Sequence, residues 1–162
     1  MFLQNLRARM SARLSGDREA GFTLIELLVV MLILGILAAI AIPAFFSQRE
    51  KANDAQAKSM VRSAQTAIET FATDNDGSYV GANGDPAALN AIEETINVTV
   101  SATDPYLSEV AATADTYTVT VTSPVTDNEF EISRLASGVV NYTCGPATAD
   151  GNAGCPADET WD

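Results

Sequence analysis

The chain predicts an α+β fold, in which one long N-terminal helix, apolar all round in its first half and amphipathic in its second, packs on a small antiparallel β-sheet. Three observations carry this. Residues 27–46 form a run of twenty residues without a charge. Farther on, Ala57, Val61, Ala64, Ile68 and Phe71 recur at spacings of four, three, four and three, which is one stripe of a helix. In the last third, Tyr117, Val119 and Val121 alternate with Thr118, Thr120 and Thr122, the two-residue period of a half-buried strand.

The first two patterns join into a single helix from about Thr23 to Thr73, about 75 Å long at about 1.5 Å per residue. Its uncharged run matches the roughly 30 Å hydrocarbon core of a bilayer. Lys58, Arg62, Gln65 and Glu69 fall opposite the apolar stripe. Two residues interrupt the first half. Pro43 removes a backbone donor and bends or weakens the helix over residues 39–43, and Gly35 lowers helix propensity by up to about 1 kcal/mol relative to Ala. Asp74-Asn75-Asp76-Gly77 ends the helix, because Gly77 accepts a left-handed backbone and Asp and Asn favour turns. The same cluster fails as a calcium loop. With Gly77 at the sixth position, the first would need an acid, and residue 72 is Ala.

Residues 78–112 read as a connecting region. Asp85-Pro86 and Asp104-Pro105 each place an N-cap before a proline at the first helical position, which predicts short helices over 87–94 and 106–110. Thr95 to Ser101, with Ile96, Val98 and Val100 in alternation, predicts a short strand. Beyond the strand at Tyr117, Phe130 and Ile132 alternate with Glu131 and Ser133, and Val139 to Thr143 comes after a Ser137-Gly138 turn. Three consecutive strands suggest an antiparallel meander whose apolar face covers the helix stripe. Residues 50–162 suffice for one small core rather than two domains.

Charge divides the chain. Residues 1–21 carry Arg7, Arg9, Arg13 and Arg18 against Asp17 and Glu19. The positive-inside rule keeps that end cytoplasmic and sends the residues after Phe46 outward. A secretory signal would be cleaved after a shorter apolar core. Without residues 1–21, five cations face nineteen acids, a net of −14. That acidity repels phosphate and argues against nucleic acid as a partner. Arg49, Lys51, Lys58 and Arg62 are a local exception, read as interfacial residues and helix-face charges that meet acids of neighbouring subunits. The chain has no histidine, hence no His-based triad and no His-ligated metal. It has no phosphate-binding glycine loop, and Glu93-Glu94 point apart on a helix. No catalytic residue, metal or cofactor is expected. Two sequons, at Asn97 and Asn141, are taken as chance.

Cys144 and Cys155, the only cysteines, fall on the oxidising side of the membrane and read as a disulfide. It would contribute roughly 3 kcal/mol by loop-closure entropy. Two cysteines cannot make a four-ligand zinc site. Trp161 is expected over the sheet edge or against a neighbouring subunit.

Glu26 is the one acid near the start of the apolar segment, and an acid in such a place asks for a partner. Gly21-Phe22-Thr23-Leu24-Ile25-Glu26-Leu27-Leu28 resembles the processing site of type IV prepilins and of the related pseudopilins of type II secretion. The resemblance runs to about Tyr79. It implies that a membrane peptidase cuts after Gly21 and methylates Phe22, and that Glu26 then pairs with the amine of a neighbouring subunit's Phe22. It implies a segment unwound in the filament between Gly35 and Pro43, and a disulfide-bounded C-terminal loop. The implied partners are further copies of the chain, the prepilin peptidase and methyltransferase, and, indirectly, an assembly platform protein and ATPase. The resulting division is a cytoplasmic leader over 1–21, a transmembrane and filament-core helix over 22–46 and its amphipathic continuation over 47–73. A connecting region over 74–112 and a sheet with a disulfide loop over 113–162 complete it. The expected role is that of a structural major subunit of an extracellular type IV pilus. A pseudopilin of a secretion or DNA-uptake system, a minor pilin, and a membrane-anchored binding domain that never polymerises are the alternatives.

Overall fold

The computed structural model describes residues 22–146 and 152–161. The expected leader 1–21, with Gly21, and the middle of the loop between the cysteines lie outside the described residues. The chain divides into two compact units, Met1–Ile42 and Pro43–Asp162. Helix α1, Leu24–Asp74, supplies residues to both.

In the first unit every described residue is exposed. An 18-residue window of α1 reaches a mean hydropathy of 3.0 and is 0% buried. Gly35 lies inside the helix, and a Cβ there would meet nothing within 4 Å.

The second unit carries the core. Its part of α1, which contains Pro43, buries Ala57, Val61, Ala64, Ala67, Ile68 and Ala72, while Phe71 is only partly buried. The helix ends where Gly77 N–H donates to the Ala72 carbonyl at 2.8 Å with φ +86, a left-handed stop suited to glycine. A 3₁₀ turn, Val80–Ala82, leads to α2, Pro86–Ile92. The Asp85 carboxylate caps α2 by accepting from Ala87 N–H at 3.0 Å.

Next come four strands: β1, Tyr106–Ala112; β2, Tyr117–Ser123; β3, Asn128–Arg134; and β4, Val140–Gly145. They form one antiparallel sheet in the order β1-β2-β3-β4. In register, Val119 faces Ile132 and Val121 faces Phe130, which faces Cys144, so the apolar positions share the helix-facing side.

Two expectations are corrected here. Strand β1 occupies the stretch expected to be a second short helix, because pairing with β2 outweighs the local Asp104-Pro105 signal; Pro105, without an N–H, stands just before an edge strand. Residues 95–101 form no strand. Ile96 is buried, while Asn97 donates from Nδ2 to the Pro105 carbonyl at 3.1 Å and accepts at Oδ1 from Thr99 N–H at 3.0 Å; side-chain bonds of this kind build turns. Both outer strands are bonded laterally. On β1, Leu107 N–H donates to the Asn97 carbonyl at 2.7 Å and the Val110 carbonyl accepts from Gly84 at 2.7 Å. On β4, Cys144 N–H donates to the Glu159 carbonyl at 2.8 Å, and Thr143 bridges Thr160.

Candidate assembly site and its supporting networks

At the start of α1, Phe22 is 92% exposed. Thr23 and Glu26 form a reciprocal cap. The Thr23 backbone N–H and hydroxyl both donate to Glu26 Oε2 at 2.8 Å, and Glu26 N–H donates to Thr23 Oγ1 at 3.3 Å. Thr-x-x-Glu is the capping-box spacing, a signal by which sequence reasoning could have found Thr23 but did not. The cap satisfies donors that a helix start leaves unpaired and sets a negative group at the positive end of the helix dipole. In the uncut chain the Phe22 nitrogen is an amide and offers no charge to this carboxylate.

The second unit holds three polar arrangements that position its surface. The first centres on Asp54, which is fully buried. Its Oδ1 accepts from the hydroxyls of Ser123, at 2.6 Å, and Thr126. Its Oδ2 accepts from Asn128 Nδ2 at 2.8 Å and Gly154 N–H at 2.7 Å. One carboxylate thus joins helix, the end of β2, the β2–β3 turn, the start of β3 and the segment before Cys155. A Cβ on Gly154 would stand 2.6 Å from that of Asp54, so the close approach requires glycine. Cys144 and Cys155 are disulfide-bonded beside it, with Cα atoms 5.8 Å apart.

In the second arrangement, Glu69 accepts from the hydroxyls of Tyr79, at 2.8 Å, and Tyr117, at 3.0 Å, and lies 3.6 Å from Arg134. Burial, then the bonds to Glu69, push the Tyr79 phenol above its usual range. Burial likewise pushes Tyr117 upward, against a lowering hydrogen bond from Gln65. Glu69, expected on the solvent side, is in fact the hub between helix and sheet.

The third arrangement is aromatic. Trp161 is 4% exposed and stands edge-on to Phe130 and Tyr142, with ring centroids 5.7 and 5.5 Å away. Its indole N–H donates to the Thr143 carbonyl at 2.6 Å. Lys58 Nζ lies 5.3 Å from the Phe130 ring centre, and the Arg62 guanidinium 5.4 Å from that of Trp161, within cation–π range. Burial lowers the Lys58 pKa, partly opposed by the Asp54 charge. Two of the four cations expected to face neighbours therefore rest on the chain's own rings. Among the described residues no three His, Cys, Asp or Glu side chains come together as a metal site would need.

Residues 16–42 match the prokaryotic N-terminal methylation motif. The type II secretion system core protein G of Aeromonas hydrophila is 32% identical over 88 residues, 54% of this chain and 57% of that protein. The type IV major pilin protein PilA of Myxococcus xanthus is 44% identical over 59 residues, 36% of this chain and 27% of that one. The chain thus spans less than two thirds of either relative. No solved structure matches with significance. The type IV wide pilus major component PilA4 of Thermus thermophilus is 36% identical over 97 residues, 60% of this chain and 68% of the relative. On that coverage, with the methylation motif at its head and a long apolar helix joined to an antiparallel sheet, the chain belongs to the type IV pilin family.

Proposed function

We propose that this chain is a structural major subunit of an extracellular type IV pilus, stored as a single-pass membrane precursor with its N-terminus inside. The observation that carries the reading is the exposed apolar first part of α1, headed by Phe22 and Glu26. So much uncovered apolar surface requires lipid or other helices around it.

In this reading the leader 1–21 is removed by a prepilin peptidase after Gly21, and Phe22 is methylated. The new Phe22 amine gives the Glu26 carboxylate of a neighbouring copy a partner of opposite charge, attractive in a medium of low dielectric and costly to leave unpaired. Glu26 then exchanges its bonds to Thr23 for that amine, which sets the register while residues 24–46 bundle. Gly35, a weak helix former, and Pro43, which has no N–H to donate, bound the stretch whose helix unwinds in the filament. The second unit forms the filament's outer, acidic surface. No chemistry is assigned to the chain; the assembly ATPase and platform protein act on it from outside.

The test is Glu26→Ala. Membrane insertion should persist while incorporation into filaments is lost, as read by electron microscopy and immunoblotting of sheared surface material. Normal filaments from the variant would overturn the register mechanism.

The match to protein G favours a second reading, a pseudopilin whose filament stays in the envelope. Sheared filaments whose main subunit begins at methylated Phe22 support the pilus. Processed Phe22 confined to the membrane fraction supports the pseudopilin.

A further inference from the structure

The four cations just past the apolar segment divide into two pairs. Lys58 and Arg62 lie over aromatic rings of their own chain. Arg49 and Lys51 are exposed, and among the described residues the one ion pair is Arg134 with Glu69. Immediately before them, Phe45 and Phe46 are 66% and 53% exposed, their rings edge-to-face at 6.2 Å. Exposed aromatic rings closing an uncharged run, with long basic side chains within the next two turns, fit a membrane–water boundary. The rings suit the headgroup level, and the cationic ends reach outward on apolar stems.

Charge selects the occupant. Arg49 and Lys51 flank Glu50 and leave a local surplus of one cation beside the apolar segment, while the acids gathered in the rest of the second unit hold scattered copies apart at long range. Anionic lipid headgroups offer a dense negative surface at the depth of Arg49 and Lys51, attractive to each basic residue held there. We propose that Arg49 and Lys51, framed by Phe45 and Phe46, bind the phosphate headgroups of anionic phospholipids while the subunit is stored in the membrane. This rests on the membrane-anchored reading above. Assembly then requires these headgroups to be given up.

The test uses the full chain with Arg7, Arg9, Arg13 and Arg18 replaced by Gln, so that the leader contributes no cationic site. It is reconstituted in nanodiscs of equal phosphatidylglycerol and phosphatidylcholine, and the lipids retained on release are counted by native mass spectrometry. Phosphatidylglycerol should be enriched at least about fivefold over phosphatidylcholine. Arg49→Gln with Lys51→Gln should bring the ratio near one, and Lys58→Gln with Arg62→Gln should leave the enrichment in place. Equal retention in the starting chain, or enrichment that the first pair of changes leaves intact or the second pair removes equally, would overturn the site and return Arg49 and Lys51 to acids of neighbouring subunits. A chain that fails to stay with the nanodisc would overturn the anchored reading and the proposal with it, an outcome distinct from loss of lipid preference alone.

Discussion

Asp54 is the residue on which most of the second unit's polar geometry converges. Four donors, from β2, the β2–β3 turn, β3 and the segment before Cys155, aim at its two oxygens; if it is truncated, Gly154 N–H is left without an acceptor, while Ser123, Thr126 and Asn128 fall back on Asn53, Ser123 and Asn152. Asp54→Ala should lower stability by about 3 kcal/mol, since each buried donor left unmatched costs about 1–3 kcal/mol and neighbouring donors partly re-pair. Gly154→Ala should act in the same direction by wedging a methyl group against Asp54. Denaturant melts of the full chain in detergent, followed by Trp161 fluorescence, check both; midpoints within error of the parent would refute the latch. The sequence held a trace of this residue. Asp54 sits three positions before Ala57 and so extends the apolar stripe, but an acid on a stripe reads as its end until its partners are known. Those partners lie 69 to 100 positions away, beyond the reach of any local pattern.

At the scale of elements, helix and sheet meet at Glu69, Tyr79 and Tyr117. Both phenols are held above their usual range in the folded state. The proton is therefore bound more tightly by the folded chain than by the unfolded one. The stabilisation is complete below the ordinary phenol value near about 10 and is lost as pH rises through the raised folded-state values. Stability should decline on the alkaline side of about pH 10, and Tyr117→Phe should flatten that decline. A parent chain whose stability is level there, read by denaturant midpoint against pH, would contradict this. The elements themselves were unequally legible. Helix α1 was written in its spacing, and β2, β3 and β4 in alternation bounded by turns. Strand β1 was not, because Tyr-Leu-Ser-Glu-Val satisfies a helix start as well as a strand, and only β2 beside it decides. Residues 95–101 erred the other way, since Asn97 diverts the alternating stretch into turns through its side-chain bonds.

For the molecule as a whole, charge and hydropathy divide the labour. The described residues of one unit form an uncovered apolar helix, and the other unit carries eighteen of the nineteen acids beyond residue 21, against five cations. In the proposed pilus, filaments clad in such units repel one another at neutral pH. As pH falls into the carboxylate range near about 4, purified filaments should gather into bundles and disperse again on return to neutrality, which light scattering and electron microscopy would follow. Bundling that ignores pH would mean that lateral contacts are apolar rather than charge-controlled.

The bonded outer strands bear on a hazard that storage would create. A pool of identical chains held side by side in a membrane is a concentrated solution of β-sheets, and an open strand edge in such a pool is a template for cross-β fibres. Here the segments carrying Asn97 and Gly84 interrupt one edge, and the Glu159–Thr160 segment interrupts the other. The sheet is thereby unsuited to recruiting its neighbours, and polymer growth is left to the helices. In the proposed pilus, a chain that polymerises through its helices is in this way kept from cross-β association, the polymer an open sheet edge would favour.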